Sequence, residues 1–408
     1  MTHCRICKSR NLSKFLDLGM MPPADGFLSK GELCLKEKSY PLEVCICKDC
    51  SLVQLGYTVS PQILYQMNYP YESSITKTGV THFYSFASQI VSDFGLSRND
   101  LAVDIGSNVG VLLEGFKKSG IKVLGVEPAA NICQKSHQRG IEAINDFFNA
   151  KTVKLIIREK GKAKVITGTN VIAHIDNLHS LVRNVKNLLT EKGIFVFEAP
   201  YLADLINNLE YDTIYHEHLM YFSVKPLITL FDQFDMEIFD IKKQRIHGGS
   251  LRYFISRKYN YPVSAEVNKF LKIEKEQRIH DIATFRKFSK RVKNNRKILV
   301  TLLESLKSKG KRIAGVGAPA KGMTLLNYCG IGPETLDFVT EKSKLKINKF
   351  TPGRHIPIVP DSRLIKAMPD YALLLPWNFA NEIMNNLKNY TKLGGKFILP
   401  IPSPRIIS

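Results

Sequence analysis

Between residues 80 and 265 the chain switches repeatedly from short apolar runs to helical stretches, and that alternation limits the fold more than any other feature. Leu101–Ile105 and Lys122–Val126 are each followed by a helical segment, and Lys164–Thr169 and Gly193–Glu198 continue the series. Strands joined through helices run parallel and need cover on both faces, so an α/β architecture with an open parallel sheet is expected. A second unit of the same kind starts at Arg312 with RIAGVGAPAKG, and Thr335–Val339, Tyr371–Leu375 and Lys396–Leu399 read as its later strands. Between the two units Glu266–Lys309 forms a long charged helical stretch. Its Phe270, Leu271, Ile273, Ile279, Ile282, Phe285 and Phe288 suit helix packing.

The first 65 residues are different in kind. Six of the eight cysteines lie within the first 50 residues, and Tyr40–Val44 and Ser51–Leu55 are strand-like. The opening MTHCRICKSR has no apolar leader core, and no run of about 18 apolar residues occurs, so a cytoplasmic chain with no membrane partner is expected. Clustered cysteines there indicate metal, not disulfides. Cys4-x-x-Cys7 and Cys47-x-x-Cys50, with 39 residues between the pairs, can close a tetrahedral zinc site. Four protein thiolates leave no open position, so such a zinc is structural; Cys45 is a competing ligand. The division into domains is then 1–65, 66–265 and 266–408. Net charge is +21, with lysines spread along the chain and not packed into one tract. Such a surface attracts phosphate, while a nucleic-acid partner, which calls for clustered charge, is not expected. An RNA-binding or RNA-modifying zinc protein stays open as an alternative. So does a nicotinamide oxidoreductase using the Gly315-x-Gly317 turn, although no Gly-x-Gly-x-x-Gly run is present.

VDIGSNVGVLLEGF (103–116) is a strand, a glycine turn and a helix start. Gly106, Ser107, Asn108 and Gly110 let the main chain approach a ligand, and Asp104 stands at the strand end. Glu127, 23 residues after Asp104, ends the next strand, where an acid can hold both ribose hydroxyls. Asp146-Phe147-Phe148 offers an acid beside aromatics for adenine. In this order the three features resemble a class I methyltransferase, with S-adenosylmethionine as cofactor. Asn170 follows the fourth strand, at the carboxyl end of the sheet, and His174 lies in the same turn. YDTIYHEHLMYFS (211–223) brings together Tyr215, His216, Glu217, His218 and Tyr221. Histidine suits removal of a proton beside a ketone, a carboxylate can support it, and a tyrosine can bond a developing enolate oxygen. His216-x-His218 is also a possible metal pair.

These segments, with RIHGGSLR (245–252) and GAPAKGMTLLNYCGI (317–331), are similar over nearly the whole chain to the three-domain sugar C-methyltransferases. Among these are the nucleotide-diphosphate-hexose 3-C-methyltransferases of deoxysugar pathways. The resemblance implies a zinc-binding N-terminal domain, a central class I (Rossmann-like) methyltransferase domain and a C-terminal Rossmann-like α/β domain. A nucleotide-diphosphate keto-sugar would lie between the last two, and a monomer is expected. His218 would be the base, supported by Glu217, with Tyr215, His174 and Tyr69 lining the site. Tyr221 would touch the substrate, and Arg252 and Lys321 would approach the diphosphate. Val109, Met323 and parts of 340–358 depart from the family's pattern. Most of these departures fall in the C-terminal lobe, where such a family would vary its substrate.

Overall fold

The computed structural model describes residues 3–65, 69–244 and 248–407. Residues 245–247, which open the RIHGGSLR segment, lie outside that set. In the N-terminal region β1 (Leu12–Met21), β2 (Tyr40–Cys47) and β3 (Val53–Leu55) form an antiparallel meander.

The central sheet follows the expected alternation. β4 (Leu101–Ile105), β5 (Lys122–Val126), β6 (Ala143–Ile144), β7 (Ala163–Thr169) and β8 (Leu189–Pro200) are parallel neighbours in the order β6-β5-β4-β7-β8. The apolar runs of β4 and of the core of β8 are buried on both faces, as helix-covered parallel strands require. β9 (Met220–Tyr221) leaves this domain and pairs with β3, so the N-terminal sheet is completed by a strand that follows the histidine cluster. β10 (Met236–Gln244) and β11 (Ser250–Arg257) close the far edge, with β11 antiparallel between β8 and β10. Strand order reverses between β4 and β7. This is the switch point at which open sheets bind ligands, and it gives the class I methyltransferase fold.

The long helical stretch is two helices, Ala265–Glu276 and Ile282–Ser308. Arg278 at the break takes a left-handed conformation (φ 52°), and Ile279 is buried beside it. Glu274 on the first helix turns inward, accepting from Val224 N (2.6 Å) and from the Tyr201 hydroxyl (3.2 Å), which fixes that helix on the central domain. The C-terminal sheet contains β12 (Ile313–Val316), β13 (Val339–Glu341), β14 (Ile358–Pro360), β15 (Tyr371–Leu374), β16 (Lys396–Leu399) and β17 (Arg405–Ile407). Their order is β14-β13-β12-β15-β16-β17, parallel except for β17. The strand expected over Thr335–Val339 begins only at Val339. Thr335 and Leu336 spend their N–H groups on Gly332 O in a turn that leads into it. No described helix is long and apolar enough to cross a membrane.

Candidate active site

The zinc knuckles meet as their spacing suggests. Cys4 and Cys50 sulfurs are 3.5 Å apart, as are those of Cys7 and Cys47, and all four lie within 4.8 Å of one another. Zinc–sulfur bonds of about 2.3 Å in a tetrahedron hold sulfurs roughly 3.8 Å apart, so the set fits the ion. Cys45 stands outside this group. Arg5, between two of the ligands, reaches Asp176 (2.8 Å), Leu55 O (2.9 Å) and the Thr58 hydroxyl (2.8 Å). The knuckle is thereby tied to the turn that carries His174.

At the switch point, Gly106 (φ 63°) and Gly110 (φ 79°) turn the chain from β4 into the helix Val111–Lys118. A Cβ at Gly106 would sit 2.6 Å from Val171, so only glycine fits this crossing of two loops. Glu127 accepts from Asn108 N and Ala129 N, both at 2.9 Å, and clamps the loops after β4 and β5 together. Asp104 is buried and accepts from the Thr167 hydroxyl (2.7 Å). Burial pushes its carboxyl up to about 7, with the charge of Glu127 adding to the shift. Asp146 is turned back on its own segment, accepting from Phe147 N (2.7 Å), and leaves the partly exposed Phe147 beside the loop. Two buried atoms, Ser107 Oγ and Asn170 Oδ1, have no partner among the described residues, and Asn170 is held at φ 56°. Orphaned polar atoms beside a strained turn mark a place where a ligand supplies the missing bonds. Acids, amide and main chain together match the polar ends of S-adenosylmethionine.

The histidine cluster is linked to this loop through residues 69–73. His218 Nδ1 lies 2.8 Å from Thr213 O, and a carbonyl only accepts, so Nδ1 carries hydrogen and Nε2 is the basic nitrogen of the neutral ring. The ring of Tyr215 is 3.9 Å from that of His218, and His174 is 5.1 Å away on the other side. Burial, and then the neighbouring His218, hold His174 well below the usual histidine range, so it stays neutral. Tyr65 stacks on His174 at 5.8 Å. The Tyr69 hydroxyl donates to Glu217 Oε2 (3.2 Å), while the Tyr69 main chain exchanges bonds with the Asn131 side chain (3.2 and 3.0 Å). Two and four residues on, Tyr71 O and Ser73 N bond the Asn108 side chain (3.1 and 2.8 Å). One short segment thus joins Glu217 to the glycine loop.

Four residues stand elsewhere than the sequence suggested. Arg252, expected near a diphosphate, is buried and committed to Glu198 (2.7 Å), Gln89 (2.9 Å) and the Phe86 ring (3.6 Å). Lys321 lies over Trp377 (4.3 Å), bonds Asn378, and faces Asp212 and Glu210. Tyr221 is buried three residues beyond His218, among Phe15, Val44, Phe285 and Phe288. His216 points to the N-terminal sheet, 3.2 Å from Tyr40 O, and burial pushes it down to about 4. The only metal-ligand group among the described residues is the four cysteines, so no site forms at His216-x-His218. Conversely, the sequence reading passed over Asp25, Lys346, Tyr65 and the His82–Glu198 pair (2.7 Å). None has a local motif, and all are assembled by contacts between distant segments.

Comparison with known proteins agrees with this layout. Family models match in chain order: a zinc binding domain over residues 4–65, a methyltransferase domain over 81–241 and a C-methyltransferase C-terminal domain over 245–402. The chain is 36% identical to C-methyltransferase NovU of Streptomyces niveus, over 99% of this chain and 96% of that one. A ubiquinone biosynthesis O-methyltransferase of Glaesserella parasuis is 30% identical over 98 residues, 22% of this chain and 42% of its own length. Among solved structures, the magnesium protoporphyrin IX methyltransferase of Synechocystis with bound SAH is 12% identical, with a TM-score of 0.36 over 46% of this chain and 90% of that one. Sequence match along the full length, together with the order of the three domains, places this chain in the family of S-adenosylmethionine-dependent C-methyltransferases with a zinc-binding N-terminal domain.

Proposed function

We propose that the chain methylates carbon 3 of a nucleotide-diphosphate 4-keto-deoxysugar. A C-methyltransferase needs a carbon nucleophile, and a C–H carbon becomes one only when its proton is removed. A ketone at carbon 4 acidifies the hydrogen on carbon 3, and a base near neutrality can then take it. The carrying observation is the segment 69–73, which bonds Glu217 at one end and the Asn108 side chain at the other.

S-adenosylmethionine, when bound, supplies an electrophilic methyl group. Glu127 would hold its ribose hydroxyls, Asp146 and Phe147 its adenine, and Asp104, Ser107 and Asn170 its amino-acid end, over the main chain of Gly106, Asn108 and Gly110. His218 Nε2 takes the proton from carbon 3. Thr213 O and the Tyr215 ring keep the imidazole in place as it gains charge. His174, neutral by burial, sits beside the base without competing for the proton. The rings of Tyr65, Tyr69 and Tyr215 give flat walls suited to a sugar face. Net charge of +21 draws the diphosphate to the surface. The zinc holds the fold and takes no part in the reaction.

The test is His218→Ala with a 4-keto-deoxysugar nucleotide in deuterated water. The variant should bind S-adenosylhomocysteine as the parent does, exchange no hydrogen at carbon 3 and form no methylated product. Normal exchange in that variant removes His218 from the base role. A product whose new methyl sits on oxygen removes the carbon-nucleophile reading.

A further inference from the structure

Asp25 of the N-terminal domain stands near the Glu217 cluster. Asp25 is 9% exposed, and its Oδ1 has no hydrogen-bond partner among the described residues. The nearest cation is Lys346 of the C-terminal domain, at 3.7 Å and 8% exposed. Lys346 is itself anchored, donating to Ala318 O (2.8 Å) and lying over the Phe27 ring (4.7 Å). Around the pair stand Tyr65 from the N-terminal domain, Glu217, Tyr69, Tyr71 and Tyr215 from the central one and Glu341 from the C-terminal one. Three domains therefore bring three carboxyl groups and one ammonium together.

Glu217 has the bonding pattern of an acid. It is 2% exposed, Oε2 accepts from Tyr69, and Oε1 is buried with no partner. A carboxyl group with one oxygen already accepting and the other bare is set up to carry its proton on the bare oxygen and present it to a ligand. We propose that Asp25, held by Lys346, is a positioning residue that faces Glu217 and keeps it in the acid form, so that Glu217 Oε1–H donates a hydrogen bond to the substrate oxygen on which charge develops. This rests on the proposed function and adds the electrophilic partner to the base. Charge balance favours it, since Lys346 offsets one carboxylate and three carboxyl groups, Asp25, Glu217 and Glu341, stand together. Burial first, and then the Asp25 charge, push Glu217 well above the usual carboxylate range, while the Tyr69 hydrogen bond and Lys346 pull the other way; burial pushes Asp25 up as well, and there Lys346 opposes it. Environments that part an acid from a base in this manner are how one pocket holds both roles at one pH.

The experiment is a pair of pH–rate profiles. Loss of the acid form of Glu217 sets an alkaline limb. Asp25→Asn removes a negative neighbour and should move that limb down by about one pH unit, and Lys346→Met should move it up by a similar amount. S-adenosylhomocysteine affinity should change in neither. Movement in the same direction in both variants, or no movement, overturns the proposal, because loosened packing alone has no reason to give opposite signs. An infrared spectrum of the parent with S-adenosylhomocysteine bound reads the same point without substrate. A protonated carboxyl band at neutral pH, lost in Glu217→Gln, supports it, and its absence in the parent overturns it. That band is independent of His218→Ala, so failure of the base assignment and failure of the acid assignment are told apart.

Discussion

After the first strand of the central sheet stands Gly106, and after the first strand of the C-terminal sheet stands Gly317. Gly106 N–H donates to Val126 O (2.9 Å) and Gly317 N–H to Thr340 O (2.8 Å), each on the neighbouring parallel strand. The next residue on that strand is an acid in both, Glu127 and Glu341. Glu341 accepts from Ala318 N (2.8 Å), Lys342 N (2.7 Å) and Ser343 N (3.0 Å), as Glu127 accepts from Asn108 N and Ala129 N. Even the reason for glycine repeats: a Cβ would meet Val171 at 2.6 Å in one and Pro376 at 2.7 Å in the other. The frames diverge above the strand ends. In the central sheet Ser107 and Asn170 keep bare polar atoms. In the C-terminal sheet Thr340 Oγ1 and Asp212 Oδ1 are bare as well, but Trp377 Nε1 donates to the other Asp212 oxygen (2.7 Å) and the Lys321 ammonium lies over the Trp377 ring. An acid after the second strand is therefore part of the frame. What separates the two is the set of Trp377–Asp212 and Lys321–Trp377 contacts that the C-terminal frame carries.

Removing each acid separates frame from site. With Glu127 on both ribose hydroxyls, as proposed, Glu127→Ala loses two charge-assisted bonds worth about 1.5–3 kcal/mol each, so S-adenosylmethionine binding by calorimetry should weaken by more than about 100-fold. Glu341→Ala should leave that affinity within about twofold. Both variants should lose similar thermal stability, because each orphans two or more main-chain N–H groups. Equal affinity losses would make Glu127 a frame residue only. The glycines give a smaller contrast. Gly106→Ala strains a loop that the cofactor touches and should weaken binding about tenfold, while Gly317→Ala should lower stability alone. Smaller again is Trp377→Phe, which leaves the buried Asp212 carboxyl without its indole donor. About 1–3 kcal/mol of stability should go, read by denaturant unfolding, with cofactor affinity unchanged.

Much of the frame was legible because it is local. The strands β4, β5 and β16 fall where their apolar runs place them, and Gly106, Glu127 and Asn170 follow from position at strand ends. The zinc ligands were legible because Cys-x-x-Cys fixes each pair within a single turn. Arg252, Lys321 and Tyr221 were misplaced for one physical reason. Sequence shows that a side chain is charged or polar but not that Glu198, Asp212 or an apolar junction lies across from it. Asp25 was passed over for the converse reason, since its partners Lys346 and Glu217 lie more than a hundred residues away. Contacts that join three domains leave no periodicity to read.

The same register that aligns the two frames puts Gly315 where the central sheet has Asp104: each is two residues before the turn glycine, on the strand beside the acid-bearing one. The central sheet therefore has a buried acid at this strand position, where the C-terminal sheet has glycine. Asp104 sits at about 7 in the folded chain against an ordinary 3.8. The folded state thus holds the proton longer than the unfolded one, and in the cofactor-free protein this group's contribution to stability falls as pH rises from about 4 to 7 and is level above. Binding runs the other way. The cofactor's positive charge favours the ionised acid, so at pH below 7 each binding event should expel part of a proton, and affinity should drop by up to about tenfold per unit as pH falls. Calorimetry at one pH in two buffers of different ionisation enthalpy measures that release directly. Asp104→Asn should abolish most of it, with any remainder belonging to Glu127, which burial also pushes up. Glu341→Ala should leave it untouched. Unchanged proton release in Asp104→Asn would show that the cofactor's charge lies away from the end of β4, and the contrast between the two frames would then rest on the Trp377 and Lys321 contacts of the C-terminal one.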